Sequence, residues 1–127
     1  MRDKKLLGKI GEDMAEAMLF SEGYSILARN FRSYFGEIDI VCEKDGVLYF
    51  VEVKTRTSET FGDPEEAVDD LKKYRIRKTA EYYLLKGAQA AKKDVSSGTP
   101  GYIDIEPEMV FKVMEIMVRE TDDSFLM

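Results

Sequence analysis

The sequence has no histidine and a single cysteine, Cys42. One cysteine excludes an internal disulfide, and without histidine a zinc site of the usual Cys/His kind is excluded as well. Cys42 lies in an apolar stretch and reads as a small buried residue rather than a reactive thiol. Long apolar runs are missing too. The start, Met1-Arg2-Asp3-Lys4-Lys5, leads into an interrupted apolar pattern that fits neither a signal peptide nor a membrane span. There is no low-complexity block and no internal repeat. What remains, 44% hydrophobic and 35% charged residues in a chain of 127, suffices for one domain, 1–127, with one core. A soluble, cytoplasmic protein with no membrane partner is expected.

Positive charge is also in short supply. The formal net charge is −6, which taken alone argues against a nucleic-acid partner. Its distribution qualifies the sum. Acidic residues collect at Glu12 to Glu16, Glu65 to Asp70 and Glu106 to Asp123, whereas Lys72 to Lys78 form a basic block.

Periodicity predicts a helix over 4–22, with Leu7, Ile10, Met14 and Met18 as its apolar stripe and Gly23 at its end. A three-strand meander is expected over 24–55, from strands at 24–32, 37–44 and 47–55. The last two are joined by Asp45-Gly46, the dipeptide that suits a type I′ hairpin turn. A second helix is expected over 63–86, with Asp63 as N-cap, Pro64 first in the helix and Glu66 in the capping-box position. A loop over 92–101 and one or two strands within 102–118 complete an α/β domain with helices against a central sheet.

With Asp45-Gly46 as the turn, Ile38 faces Val53, Ile40 faces Val51 and Cys42 faces Tyr49, so one side of the hairpin is apolar. On the other side Glu37 faces Lys54, Asp39 faces Glu52 and Val41 faces Phe50. Opposed Cβ atoms lie roughly 4.5–5.5 Å apart, and like charges there repel. A divalent cation resolves the conflict, because Mg²⁺ takes one or two carboxylates together with substrate phosphate. Lys54, two residues beyond Glu52, falls on the same face. The alternative is a plain solvated face with Glu37 and Lys54 as an ordinary cross-strand pair. Against that, Val41 and Phe50 share the face and imply that it is covered.

Gly36-Glu37-Ile38-Asp39 followed by Val51-Glu52-Val53-Lys54-Thr55-Arg56 resembles the bipartite signature of the PD-(D/E)xK nuclease superfamily. More closely, the chain resembles the small bacterial family UPF0102, the YraN-like proteins. Gly11-Glu12-Asp13, Ala28-Arg29-Asn30-Phe31-Arg32 and Phe61-Gly62-Asp63-Pro64-Glu65-Glu66-Ala67-Val68 also match, so the resemblance spans residues 8–85. It implies a restriction-endonuclease-like, three-layer α/β domain, with a central mixed sheet that includes an antiparallel hairpin and is flanked by helices. The implied fold is close to that of archaeal Holliday-junction resolvases. It further implies Mg²⁺-dependent (or Mn²⁺-dependent) cleavage of DNA, with branched or damaged DNA as the expected partner and a homodimer as a possible assembly.

Carried over residue by residue, Asp39 and Glu52 match the metal-binding carboxylates and Lys54 the catalytic lysine. Glu12 matches the acid that the first helix often supplies, and here it counts as both a catalytic and a metal candidate. Relatives usually have an Arg-Phe-Asp-Val strand near the C-terminus. This chain offers Tyr102-Ile103-Asp104-Ile105 or Val110-Phe111-Lys112-Val113, and the first is preferred.

Helical spacing places Lys72 and Arg75 within the apolar stripe of the second helix, formed by Val68, Ile76 and Ala80. They either snorkel from it or reach a scissile phosphate or the acids. With Arg56 they are the candidate nucleic-acid contacts. Glu37 reads as an ion-pair partner of Lys54, and Tyr82 and Tyr83 as packing residues. Two functions compete: a metal-dependent DNA endonuclease, and a non-catalytic nuclease-fold module that binds nucleic acid or a partner protein.

Overall fold

The computed structural model describes residues 3–57, 69–94 and 108–119. Its elements run α1 (Lys4–Ser21), β1 (Ser25–Ser33), β2 (Gly36–Lys44), β3 (Val47–Arg56), α2 (Asp70–Asp94) and β4 (Glu108–Met117). The four strands form one sheet in the order β1-β2-β3-β4. The first three pair antiparallel and β4 joins β3 in parallel, so the sheet is mixed.

Asp3 starts α1 by accepting hydrogen bonds from the Lys5 and Leu6 amides, at 3.0 and 3.3 Å. Gly23 stops the helix in a left-handed conformation (φ 93°) that glycine adopts without steric cost. The Tyr24 and Gly23 amides then donate to the Leu19 and Phe20 carbonyls, which closes a Schellman motif.

The buried stripe of α1 differs from the expected one. Gly11, Ala15 and Leu19 face the sheet, whereas Met14 and Met18 are 45% and 44% exposed. Close approach decides this. A Cβ on Gly11 would lie 1.8 Å from Thr55 Oγ1 of β3, so only glycine lets the helix sit this near. The rotation brings Glu12 to the edge of the interface, with its side chain largely covered.

The sheet is covered on both faces. On one, Ala15 and Leu19 of α1 pack on Ile40, Cys42, Val51 and Ile116. On the other, Ala80 of α2 packs with Ile38, Val41, Leu48 and Phe50. The result is a three-layer α/β domain with a restriction-endonuclease-like arrangement. Phe31 meets Tyr82 and Tyr83 at ring-centroid distances of 5.9 and 5.1 Å, so both tyrosines pack.

Ile38 belongs to the α2 layer and Ile40 to the α1 layer, which simple alternation forbids and the sequence reading did not expect. β1 makes the same switch. Arg29 reaches carboxylates on α1, yet Phe31 packs on α2. Between them Asn30 adopts φ 52°, a left-handed conformation that asparagine tolerates better than most residues. The two strands therefore exchange faces together, at Asn30 and at Asp39.

The Asp45-Gly46 turn has positive φ at both residues, 52° and 78°. The register from Lys44↔Val47 to Ile40↔Val51 is that of a two-residue hairpin. The helix carrying Lys72 begins at Asp70 rather than near Asp63. Asp69 caps it, accepting from the Lys72 amide at 2.8 Å, while the Asp63 cap lies outside the described residues. The helix also continues past Gly87 to Asp94, into the segment expected to be a loop. The strand beside β3 contains Val110-Phe111-Lys112-Val113, the second of the two candidates, because these residues match β3 in register from Val47↔Glu108 onwards. Residues 102–105, the preferred candidate, lie outside the described residues. Among the described residues, no helix is long and apolar enough to cross a membrane.

Candidate active site

The paired register of β2 and β3 runs from the turn to Ile40↔Val51 and includes no pair beyond it. The expected direct opposition of Asp39 and Glu52 is therefore not part of the ladder. Instead the Val53 amide donates to Asp39 Oδ2 at 2.8 Å. A side-chain carboxylate thus takes the place of a backbone acceptor at the point where β1 and β2 change faces. The hydrogen bond fixes one oxygen of Asp39 toward β3.

Burial pushes the Asp39 carboxyl up to about 6. The Val53 hydrogen bond opposes the rise, and repulsion from Glu12, Glu52 and Glu37 adds to it. An acid raised by burial and by other acids keeps its proton to a higher pH than a solvated one. Between about pH 4 and 6 the folded chain holds a proton that the unfolded chain releases. The contribution of Asp39 to stability therefore falls as pH rises through that window. Asp39→Asn is accordingly expected to melt above the wild type at pH 7.5 in chelator, with the gap closing below about pH 4. Melting scans at the two pH values check this, and an equal gap at both would refute it.

Glu52 is two residues beyond Phe50, and strand alternation gives the two side chains the same face. Its Oε1 makes an ion pair with the Lys72 ammonium from α2. Its Oε2 is buried and has no hydrogen-bond partner. A buried, unpartnered carboxylate oxygen is costly and calls for a specific explanation. Lys54 follows on the same face by alternation, and its register neighbour on β4 is Glu115.

Asp39, Glu52, Lys72 and Arg75 line one cleft of about 350 Å³ between the sheet and α2. Glu12, Lys54 and Arg56 are not among its lining residues. Glu12 faces the sheet from α1 and acts on Asp39 through its charge, but its bonded partner is Arg29, at 3.4 Å. Arg29 also holds Asp13 at 2.7 Å and Glu16 at 3.1 Å, and its guanidinium is raised, chiefly by the bond to Asp13. Glu37 pairs with Arg32 at 3.6 Å, a partner the sequence reading did not name. Burial pushes the Cys42 thiol up to about 11, as suits a packing residue.

Among the described residues no three acidic, histidine or cysteine side chains form a ready-made cation cage. Two carboxylates are nevertheless what Mg²⁺ commonly takes from a protein when phosphate and water complete its shell. The buried, unpartnered Glu52 Oε2 and the desolvated Asp39 suit such a cation. Arg29 and Asn30 received no role from the sequence. The only available signal for Asn30 was the tolerance of asparagine for positive φ.

Fold and site define a restriction-endonuclease-like α/β domain with two acids and a lysine in the order of the PD-(D/E)xK signature. The chain belongs to the UPF0102 family: the family model described as "Uncharacterised protein family UPF0102" matches residues 11–119. A UPF0102 protein of Syntrophomonas wolfei is 43% identical over 114 residues, covering 90% of this chain and 86% of its own. One of Clostridium acetobutylicum is 39% identical over 124 residues, covering 98% and 89%. One of Persephonella marina reaches 53% over 79 residues, covering 62% and 68%.

Proposed function

We propose that this protein is a Mg²⁺- or Mn²⁺-dependent DNA endonuclease acting on branched or damaged DNA. The observation that carries the reading is the cleft itself. It gathers a desolvated Asp39, a Glu52 with one buried oxygen unpartnered, and the cations Lys72 and Arg75. Two acids that repel one another suit a divalent cation, and adjacent cations suit a phosphate.

Asp39 and Glu52 would hold the ion, which supplies Lewis-acid polarisation of a phosphate and activation of water. The Val53 amide keeps Asp39 aimed at β3. Lys72, presently bound to Glu52, is placed to exchange that carboxylate for a phosphate oxygen. Arg75, one helical turn further along α2, offers a planar fork for the same phosphodiester. Lys54 is the group for orienting the nucleophile and stabilising the developing charge. Glu12, held by Arg29, acts on Asp39 through its charge and remains the third acid within reach of the pair.

Incubation with labelled linear, flapped and four-way DNA in Mn²⁺ tests the chemistry. Cleavage is expected from the wild type and should disappear in both Glu52→Ala and Lys54→Ala. Activity that persists in both variants would belong to a contaminant. One observation favours a second reading, a non-catalytic binding module: Lys72 already neutralises Glu52 without any metal. Tight DNA binding with no cleavage of any of the three substrates would decide for that module.

A further inference from the structure

The turn between β1 and β2 is a two-residue tip, Tyr34-Phe35, between Ser33 and Gly36. Tyr34 is 99% exposed and Phe35 is 39% exposed. Their rings meet edge to face with centroids 5.7 Å apart, so the pair stands as a stiff aromatic knob. Hydrophobic burial does not explain the Tyr34 ring. The Phe35 amide donates to Ser33 Oγ at 3.0 Å, and Ser33 Oγ lies 2.8 Å from the buried Thr79 Oγ1 of α2. The base of the turn is thereby tied to the same helix that carries Lys72 and Arg75.

Position gives the knob its meaning. Gly36 and Glu37, the residues directly after it, already line the cleft. Gly36, where β2 begins, precedes Asp39 by three residues, which at about 3.3 Å per residue is roughly 10 Å of strand between the turn and that acid. Arg32, whose side chain is 79% exposed, leads into the turn from β1. An exposed aromatic face with an arginine beside it, next to a cleft where Lys72 and Arg75 stand among four acids, can hold a nucleobase by its π-face and its neighbouring phosphate by charge.

Resting on the endonuclease reading above, we propose that Tyr34 and Phe35 stack on an unpaired base a few nucleotides from the scissile phosphate. The knob would select DNA that has a single-stranded arm beside a duplex. Bases in an intact duplex are already stacked on one another and offer no free face, so fully paired DNA gains little from it.

Binding is measured in chelator, where no cleavage occurs, by fluorescence anisotropy. The probes are a fluorescein-labelled duplex with a single-stranded arm and a fully paired duplex of equal length. Tyr34→Ala is expected to weaken binding of the armed duplex by roughly five- to a hundredfold, the range for loss of one stacked base. Paired-duplex binding should stay within twofold, and Tyr34→Phe should bind like the wild type. A 2-aminopurine placed in the arm should be quenched by the wild type and by Tyr34→Phe but not by Tyr34→Ala. Unchanged binding of the armed duplex by Tyr34→Ala, or equal weakening on both probes, overturns the stacking role and leaves the endonuclease reading standing. A wild type that binds neither probe, in chelator or with Ca²⁺ in its place, overturns both. Tyr34 is fully exposed, so its replacement should leave the fold intact.

Discussion

Glu52→Gln is expected to reduce divalent-dependent cleavage by about 100-fold or more. Loss of a group that merely supports a metal ligand already costs roughly 10–100-fold, and in the proposed endonuclease Glu52 is a ligand itself. Glutamine keeps the volume and an oxygen that can still accept from Lys72, but it removes the charge. The metal-free protein should therefore fold as before. Saturating Mg²⁺ or Mn²⁺ at about 100 times its Kd would stabilise the wild type by roughly 2.7 kcal/mol. That increment, read as a shift in Tm, should vanish in Glu52→Gln and in Asp39→Ala. An equal metal-induced shift in wild type and Asp39→Ala would show that the ion binds elsewhere.

Gly11→Ala should have the largest effect on stability. In an ordinary helix interior this change gains up to about 1 kcal/mol. Here the sign reverses. The new methyl would lie 1.8 Å from Thr55 Oγ1, 2.9 Å from Thr55 Cβ and 3.0 Å from Thr55 Cγ2. Rotating the threonine hydroxyl away relieves only the first contact, because Cβ is fixed to the β3 backbone. Overpacking of this kind typically costs about 1–3 kcal/mol, and the helix must lift from the sheet to relieve it. Chemical denaturation should show the loss. Combining Gly11→Ala with Thr55→Ala should recover part of it, since the nearest atom goes while Cβ stays. A Gly11→Ala protein as stable as the wild type would mean that α1 does not pack this closely.

The hairpin could be read from sequence because its information is local. Asp45-Gly46 sets the turn, and alternating apolar residues set the register as far as Ile40 and Val51. Beyond that point the rule of alternation fails. The exchange of faces at Asn30 and Asp39 depends on one backbone torsion in a neighbouring strand, and no periodicity in β2 reports it. The α1 stripe was misread for a similar reason. Hydrophobicity picks out Met14 and Met18, but the contact is decided by how near the backbone can come, and Gly11 settles that. The acids and Lys54 were legible through their order along the chain. Lys72 was legible as well, since helical spacing offered it to the acids as one alternative to snorkelling, and it pairs with Glu52; the clamp of Arg29 on Asp13 and Glu16 was not, because it joins two elements that no local pattern relates.

The parallel pairing of β4 with β3 sets an order of cost for assembling this domain. The hairpin that carries Asp39 and Glu52 closes across two residues. Each β4 residue, by contrast, follows its β3 partner by about 60 positions, as Glu108 follows Val47. Chain entropy makes the longer closure costlier by roughly 3 kcal/mol, and non-local contacts of this kind are slow to form. Until β4 docks, β3 is an open edge with unpaired amides and carbonyls, available to any other extended chain. The wall that Phe111 gives the cleft arrives with the same strand. The two acids can thus be brought together early by the hairpin, while the pocket around them waits for a segment about 60 positions further along the chain.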